Sequence, residues 1–270
     1  MTAGYSTRHL DLASSVAFVN ARQDRLRVHL GIPDEPGWTT SEDFLSDPDA
    51  VPAWRADLAR WMRDTYGEAP ERTVAAYLMS WYLLTPGFAA GLLFHHARRV
   101  PSLRPENVAF HRAMPMSDPD AVALLSPSFT CLPDDPAADS PHAVVVADEL
   151  ALAAVLRGRF RSHAARFIAV FGPRVRLGNH TLWGAATDAL DNAFWLAGRY
   201  NGDEAAGALD AALVLGAGHS PFTSASTLRP TAISGGSTEW TRRRESCCFH
   251  YLLEQGSGEC STCPRLCRKR

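Results

Sequence analysis

Apolar residues recur at helical spacing along most of this chain, and the helical pattern gives way once, near the middle, to short β-prone runs. Leu10, Leu12, Val16, Phe18, Val19, Leu26 and Leu30 predict a helix over 7–30. Gly31-Ile-Pro-Asp-Glu-Pro-Gly37 breaks it. Trp54, Leu58, Trp61 and Met62 share one side of a second helix over 54–66, with arginines opposite. Pro70 suits a helix start, where its missing N–H costs nothing. Val74 to Phe94 then runs without a charge, long enough to span a bilayer. Leu84-Thr-Pro-Gly reads as a stop and turn, however, and arginines flank both sides. The expectation is two short buried helices meeting at Pro86, and no transmembrane span.

In the middle, Val108–His111, Ser128–Leu132 and Ala143–Ala147 are short β-prone runs between Pro- and Asp-rich turns, which predicts a small antiparallel sheet. The helical period returns over 148–171, 181–200 and 203–215, with stops at Gly172-Pro173 and Asn201-Gly202. After Gly218 come about twenty residues rich in Ser, Thr, Gly and Pro, a length usual only for functional or mobile loops. The fold class expected is α+β, predominantly helical, with a small central antiparallel sheet. The expected organisation is a mainly helical region over 1–240, its sheet near 107–147, and a distinct cysteine-rich segment over 241–270.

Composition changes this picture little. With 270 residues, 46% apolar and 21% charged, the chain can bury a sizeable core. A net charge of −2 excludes nucleic-acid binding by bulk electrostatics. The charge is unevenly spread, because Arg242, Arg243, Arg244, Arg265, Arg268, Lys269 and Arg270 outnumber Glu245, Glu254 and Glu259 near the end. No basic n-region followed by an apolar run opens the sequence, so the expected compartment is the cytoplasm, where thiols stay reduced.

The cysteines change the picture most. Five of six fall in the last 24 residues, as Cys247-Cys248, Cys260-Ser-Thr-Cys263 and Cys267. Thiolates at this density bind something soft: an iron–sulfur cluster, a zinc ion, or one another in disulfides. Structural zinc favours paired C-x2-C knuckles, and the adjacent Cys247-Cys248 pair cannot form one. In extended backbone those two side chains point to opposite faces, so both reach one site only if the chain bends sharply. A [2Fe–2S] cluster takes two thiolates per iron, and four of these cysteines supply that number. Cys131 stands alone in a β-prone run and reads as a small buried apolar residue.

Arg243-Arg-Glu-Ser-Cys247-Cys248-Phe-His-Tyr251, followed by Cys260-Ser-Thr-Cys263-Pro264, resembles the C-terminal signature of the FhuF-type siderophore–iron reductases. His180-Thr-Leu-Trp183-Gly resembles that family's Leu-Trp-Gly helix start. The eleven-residue spacer is one longer than the family pattern, and Cys267 is additional to it. The resemblance implies a [2Fe–2S] cluster held by Cys247, Cys248, Cys260 and Cys263. It implies a cytoplasmic oxidoreductase, free or peripheral at the inner membrane face, that passes one electron to a ferric siderophore and releases Fe(II). The siderophore is expected to be of the hydroxamate type, and the electron donor a separate protein such as a ferredoxin or its reductase. Arg243 and Arg244, beside the ligands, are candidates for potential tuning or docking.

Two other functions fit the residues alone: an iron–sulfur or zinc regulator that binds DNA through its arginine-rich tail, and a siderophore-binding accessory protein with a structural cluster. His95 and His96 read as helix-end residues, His180 and His219 as boundary residues, and Trp183 and Trp195 as core. No G-x-G-x-x-G follows a strand, so no nicotinamide or flavin site is expected.

Overall fold

The computed structural model describes residues 11–232, 238–256 and 258–266. Residues 7–10 of the first predicted helix, Cys267 and the Arg268–Arg270 tail lie outside the described residues. Helix α1 (Leu12–Asn20) is capped by the Asp11 carboxylate and is shorter than predicted. The chain leaves it because Asn20 captures the backbone of Val28 through both side-chain atoms, at 2.7 and 3.0 Å. This holds residues 27–30 extended as strand β1 (Arg27–Leu30) and corrects the long helix predicted there. Strand β2 (Trp38–Thr40), helix α2 (Ser41–Ser46) and helix α3 (Ala50–Tyr66) follow.

Helix α4 (Glu71–Ala97) runs unbroken through Pro86, where two helices were expected. A proline costs a free helix ~3 kcal/mol and a glycine ~1 kcal/mol. Tertiary packing offsets this, since every residue from Thr85 to His96 is buried. Each buried Leu or Phe in that run contributes roughly 1.5–3 kcal/mol. The small residues that read as a turn are the packing surface. A Cβ on Gly91 would stand 2.9 Å from that of Ala193, on helix α6 (Asn179–Tyr200), so the two helices pack with no room for a side chain between them. By length and composition α4 could cross a membrane, but 78% of its most apolar stretch is buried inside the protein.

The β-prone middle forms two small sheets instead of one antiparallel sheet. Strand β4 (Val108–Ala113) pairs antiparallel with β5 (Asp118–Leu124) and with β2, while β1 joins β5 in parallel, giving the order β1-β5-β4-β2. Strand β3 (Val100–Pro101), β6 (Phe129–Cys131) and β7 (Ala143–Val145) form the second sheet, with β6 and β7 parallel. Cys131 is fully buried in β6, and burial pushes its thiol up to about 11.

Helix α5 (Glu149–Phe171), α6 and helix α7 (Glu204–Val214) match the predicted helices closely. The segment read as a long loop folds back on itself as a hairpin of β8 (Arg229–Ala232) and β9 (Thr238–Thr241). The chain is thus α+β and predominantly helical, and β9 delivers it to the cysteine segment, which lies across α4 and α6.

Candidate metal centre

Helix α6 carries three polar side chains inward on an otherwise apolar face: Thr187, Asp188 and Asp191. Each takes backbone or hydroxyl groups from the chain that follows α7. Thr187 accepts the Thr223 N–H at 3.1 Å. Asp191 accepts the Ser226 and Thr227 hydroxyls at 2.6 and 3.0 Å, and burial raises its pKa. Asp188 accepts the Glu245 N–H at 2.9 Å through one oxygen, and the Ser246 N–H and hydroxyl at 2.8 and 2.6 Å through the other. Arg242 adds a buried ion pair to Asp188 at 3.1 Å.

Gly184 lets this segment lie close. A Cβ there would meet the Glu245 carbonyl carbon and oxygen at 3.2 Å. The Trp183-Gly184 pair is therefore a docking feature as well as a helix start. Trp183 is buried against Phe222, and Trp195 is half-buried with its indole N–H on Glu204.

Cys247 and Cys248 follow directly. The chain turns immediately after them at Phe249, which has left-handed backbone at φ 56° and ψ 17°. That conformation costs a non-glycine residue roughly 1–2 kcal/mol. It is held from both sides: the Phe249 N–H donates to Cys247 Sγ at 3.4 Å, and its carbonyl accepts the Thr73 hydroxyl of α4 at 3.1 Å. Opposite, the Cys263 N–H closes a turn on the Cys260 carbonyl at 2.9 Å, and Arg244 N–H to Thr262 carbonyl, at 3.0 Å, ties that turn to the cysteine pair.

The Cys260–Cys263 turn and the adjacent cysteine pair thereby lie against each other. Cys248 and Cys260 share a hydrogen bond that drives the Cys260 pKa down and the Cys248 pKa up. Cys247, raised mainly by burial, also feels the charge of Cys263. Backbone N–H groups of Phe249, His250 and Thr262 point at three of the sulfurs. None of the four is in a disulfide. A [2Fe–2S] cluster takes two thiolates on each iron, the number these four cysteines supply.

Arg244 sits among these sulfurs. Burial lowers its pKa, but Asp188 and the Cys248, Cys260 and Cys247 sulfurs more than offset this and raise it. Its Nε is buried with no hydrogen-bond partner. A desolvated cation held by Asp188 at 3.8 Å within the field of three cysteine sulfurs fits an anionic cofactor beside it. Residues 244–265 match the family model of the FhuF 2Fe-2S C-terminal domain.

This chain carries a FhuF-type 2Fe-2S domain. No curated protein matches the chain. The cofactor of the FhuF-type domain is a [2Fe–2S] cluster, and Cys247, Cys248, Cys260 and Cys263 are the candidates to hold it. Arg243, the other predicted tuning residue, turns outward and pairs with Glu245 at 2.9 Å.

Around the domain, the Tyr77 hydroxyl meets His250 Nδ1 at 2.7 Å. Burial, then the neighbouring Cys248, raises the Tyr77 pKa. A cleft of about 270 Å3 opens beside Cys247, walled by Phe249, Tyr251, Pro264, Arg265 and the start of α6 at His180 and Thr181. His95 and His96 lie far along α4 in its last turn, both buried, with His95 bonded to Asp210 at 2.7 Å. Asp188, Asp191 and Tyr77 were not singled out by the sequence reading. Two aspartates three apart on an otherwise apolar helix face were the available signal.

Proposed function

We propose that this protein is a ferric-siderophore reductase in which Cys247, Cys248, Cys260 and Cys263 hold the cluster within the segment 241–270. It takes electrons one at a time from a separate protein such as a ferredoxin or its reductase. The observation that carries the reading is the open cleft directly beside Cys247, one wall of which is the cysteine segment itself. When bound, the cluster supplies a single electron to Fe(III), whose hard oxygen ligands then grip the resulting Fe(II) far less tightly.

The chain's residues prepare that event. Phe249 and Tyr251 offer apolar surface to the edge of a hydroxamate chelate, and Arg265 covers the Tyr251 ring at 3.8 Å. Arg244 and the three backbone N–H groups stabilise added negative charge, which raises the reduction potential. Arg242 and Arg244 are turned inward onto Asp188, so neither faces a nucleic-acid phosphate, which favours the reductase over a DNA-binding regulator.

The test is an anaerobic preparation, which should contain iron and acid-labile sulfide in equal amounts. Reduced with dithionite and mixed with a ferric hydroxamate, it should reoxidise within seconds and deliver Fe(II) to a ferrous chelator. No reoxidation over minutes would leave the protein as a siderophore-binding accessory with a structural cluster.

A further inference from the structure

A second, smaller cleft of about 140 Å3 lies between α3, the start of α4 and the residues that precede α6. Its charged wall is Arg55, Arg72 and Arg176 against a single acid, Glu71. That acid is already engaged by Arg55 Nη2 at 3.1 Å. Among the described residues Arg72 and Arg176 make no ion pair, and both side chains are exposed to incoming ligand. Arg55 spends one Nη on the Arg174 carbonyl at 3.2 Å and the other on Glu71. Its Nε is buried and has no hydrogen-bond partner. An unpaired, desolvated N–H on a guanidinium that lines a cleft is stabilised by an acceptor that reaches it. Guanidinium forks match the two oxygens of a carboxylate.

The walls of the two clefts come from neighbouring stretches of chain. Val175, Arg176 and Leu177 wall the smaller one, and His180 and Thr181, a few residues on, wall the larger. Arg72 lies over the Phe249 ring at 6.0 Å, and Phe249 lines the cleft beside Cys247. Neither cleft reaches the roughly 300 Å3 at which pockets begin to engulf a whole drug-sized ligand. Together they suit a ligand that lays its body against Cys247 and extends one small anionic arm toward the arginines.

We propose that the ferric chelate accepted by this protein carries a free carboxylate, and that Arg55, Arg72 and Arg176 seat it. This rests on the reductase reading and names the substrate class within it.

The test measures binding apart from turnover. Redox-inert gallium(III) complexes of two chelators are titrated calorimetrically into the intact, cluster-loaded protein. One chelator is a citrate-derived hydroxamate with a free carboxylate, and the other a neutral trihydroxamate. The carboxylate chelate should bind about tenfold or more tightly, as one charge-assisted contact of this class gives. In Arg176→Ala, and in Arg72→Ala combined with it, the ratio of the two dissociation constants should fall toward one. Both side chains are exposed, so folding is checked by circular dichroism and iron content. Arg55→Lys, which keeps the charge but loses the unpartnered Nε–H, should also narrow the ratio.

Equal affinities in the unaltered protein would overturn the proposal. So would a ratio that the arginine variants leave untouched, or variants that slow only reduction by a protein donor, which would make the site a docking point for that donor. Stopped-flow reoxidation by the ferric forms separates the two readings. Fast reoxidation by both chelates without carboxylate preference sinks the arginine site and leaves the reductase. Carboxylate-selective gallium binding with no reoxidation by either chelate supports the site and sinks the reductase.

Discussion

One oxygen of Asp188 accepts both the backbone N–H and the hydroxyl of Ser246, the residue immediately before Cys247. The carboxylate on α6 thus fixes where the cysteine segment begins. Removing one partner of a buried ion pair costs about 3–5 kcal/mol. Asp188→Ala leaves Arg242 with the more distant Asp191 at 3.9 Å and frees the Glu245 and Ser246 amides together. The expected result is a cluster that a strong iron chelator strips many times faster, with the helical circular dichroism of α4 and α5 retained. Iron loss timed by absorbance checks it, and an unchanged stripping rate would refute it.

Gly184 tests the same junction from the other side. Alanine would favour the helix by roughly 1 kcal/mol, while its Cβ would press on the Glu245 carbonyl at 3.2 Å. Valine adds bulk that the segment cannot accept without moving. Gly184→Val should leave α6 folded and lower iron content on purification, read by metal analysis against the unaltered protein.

Each of Cys247→Ser, Cys248→Ser, Cys260→Ser and Cys263→Ser should abolish or bleach the visible spectrum. Cys131→Ser should keep it, because that thiol is buried in β6, away from the cysteine segment. Cys267→Ser should keep it too, since Cys247, Cys248, Cys260 and Cys263 already supply two thiolates for each iron. Loss of the cluster in the Cys267 variant, with retention in one of the four, would reassign the ligand set.

Arg244 is the cation nearest the sulfurs. Arg244→Gln removes its charge while keeping a donor, and the reduction potential should fall by about 60 mV, the one-electron equivalent of a tenfold change. Spectroelectrochemical titration reads it. Arg243→Gln, whose side chain turns outward to Glu245, should shift the potential much less.

Stability should weaken in acid for a reason separate from the cluster. Burial drives the pKa of His163 down to about 4, against the opposing hydrogen bond to the Leu103 carbonyl. His96 is also pushed to about 4, by burial and then by His95. Unfolded, both bind protons near pH 6.5. Between pH 6.5 and 4 the unfolded chain takes up protons that the folded one excludes, so stability falls with pH across that window and levels below it. A fully buried imidazole accounts for about 3 kcal/mol of the fall. Urea titrations at pH 7 and 4.5 measure it, and His163→Gln should flatten the slope.

Much was legible along the chain because it depends on neighbours in sequence. The helices over 149–171, 179–200 and 204–214 follow from periodicity and stop signals, and the soft-ligand character of the cysteine segment from residue type alone. The hydrogen bonds of Asn20 to Val28, by contrast, convert a predicted helix into β1 through eight residues of separation. The β-prone runs announced strands but not partners, so the parallel pairings β1–β5 and β6–β7 were not visible.

The sequence by itself determined that sulfur chemistry is concentrated after residue 246, and that the chain before it would be mainly helical. Only the tertiary structure decided that Pro86 would sit inside one continuous helix, because α6 offers Ala193 where α4 offers Gly91. Only it brought Asp188, Arg244 and Phe249 around the thiols. The physical reason is one of range. Periodicity, caps and ligand types act within a turn or two of chain, whereas close packing and buried charge pairing act between segments whose meeting no local pattern encodes.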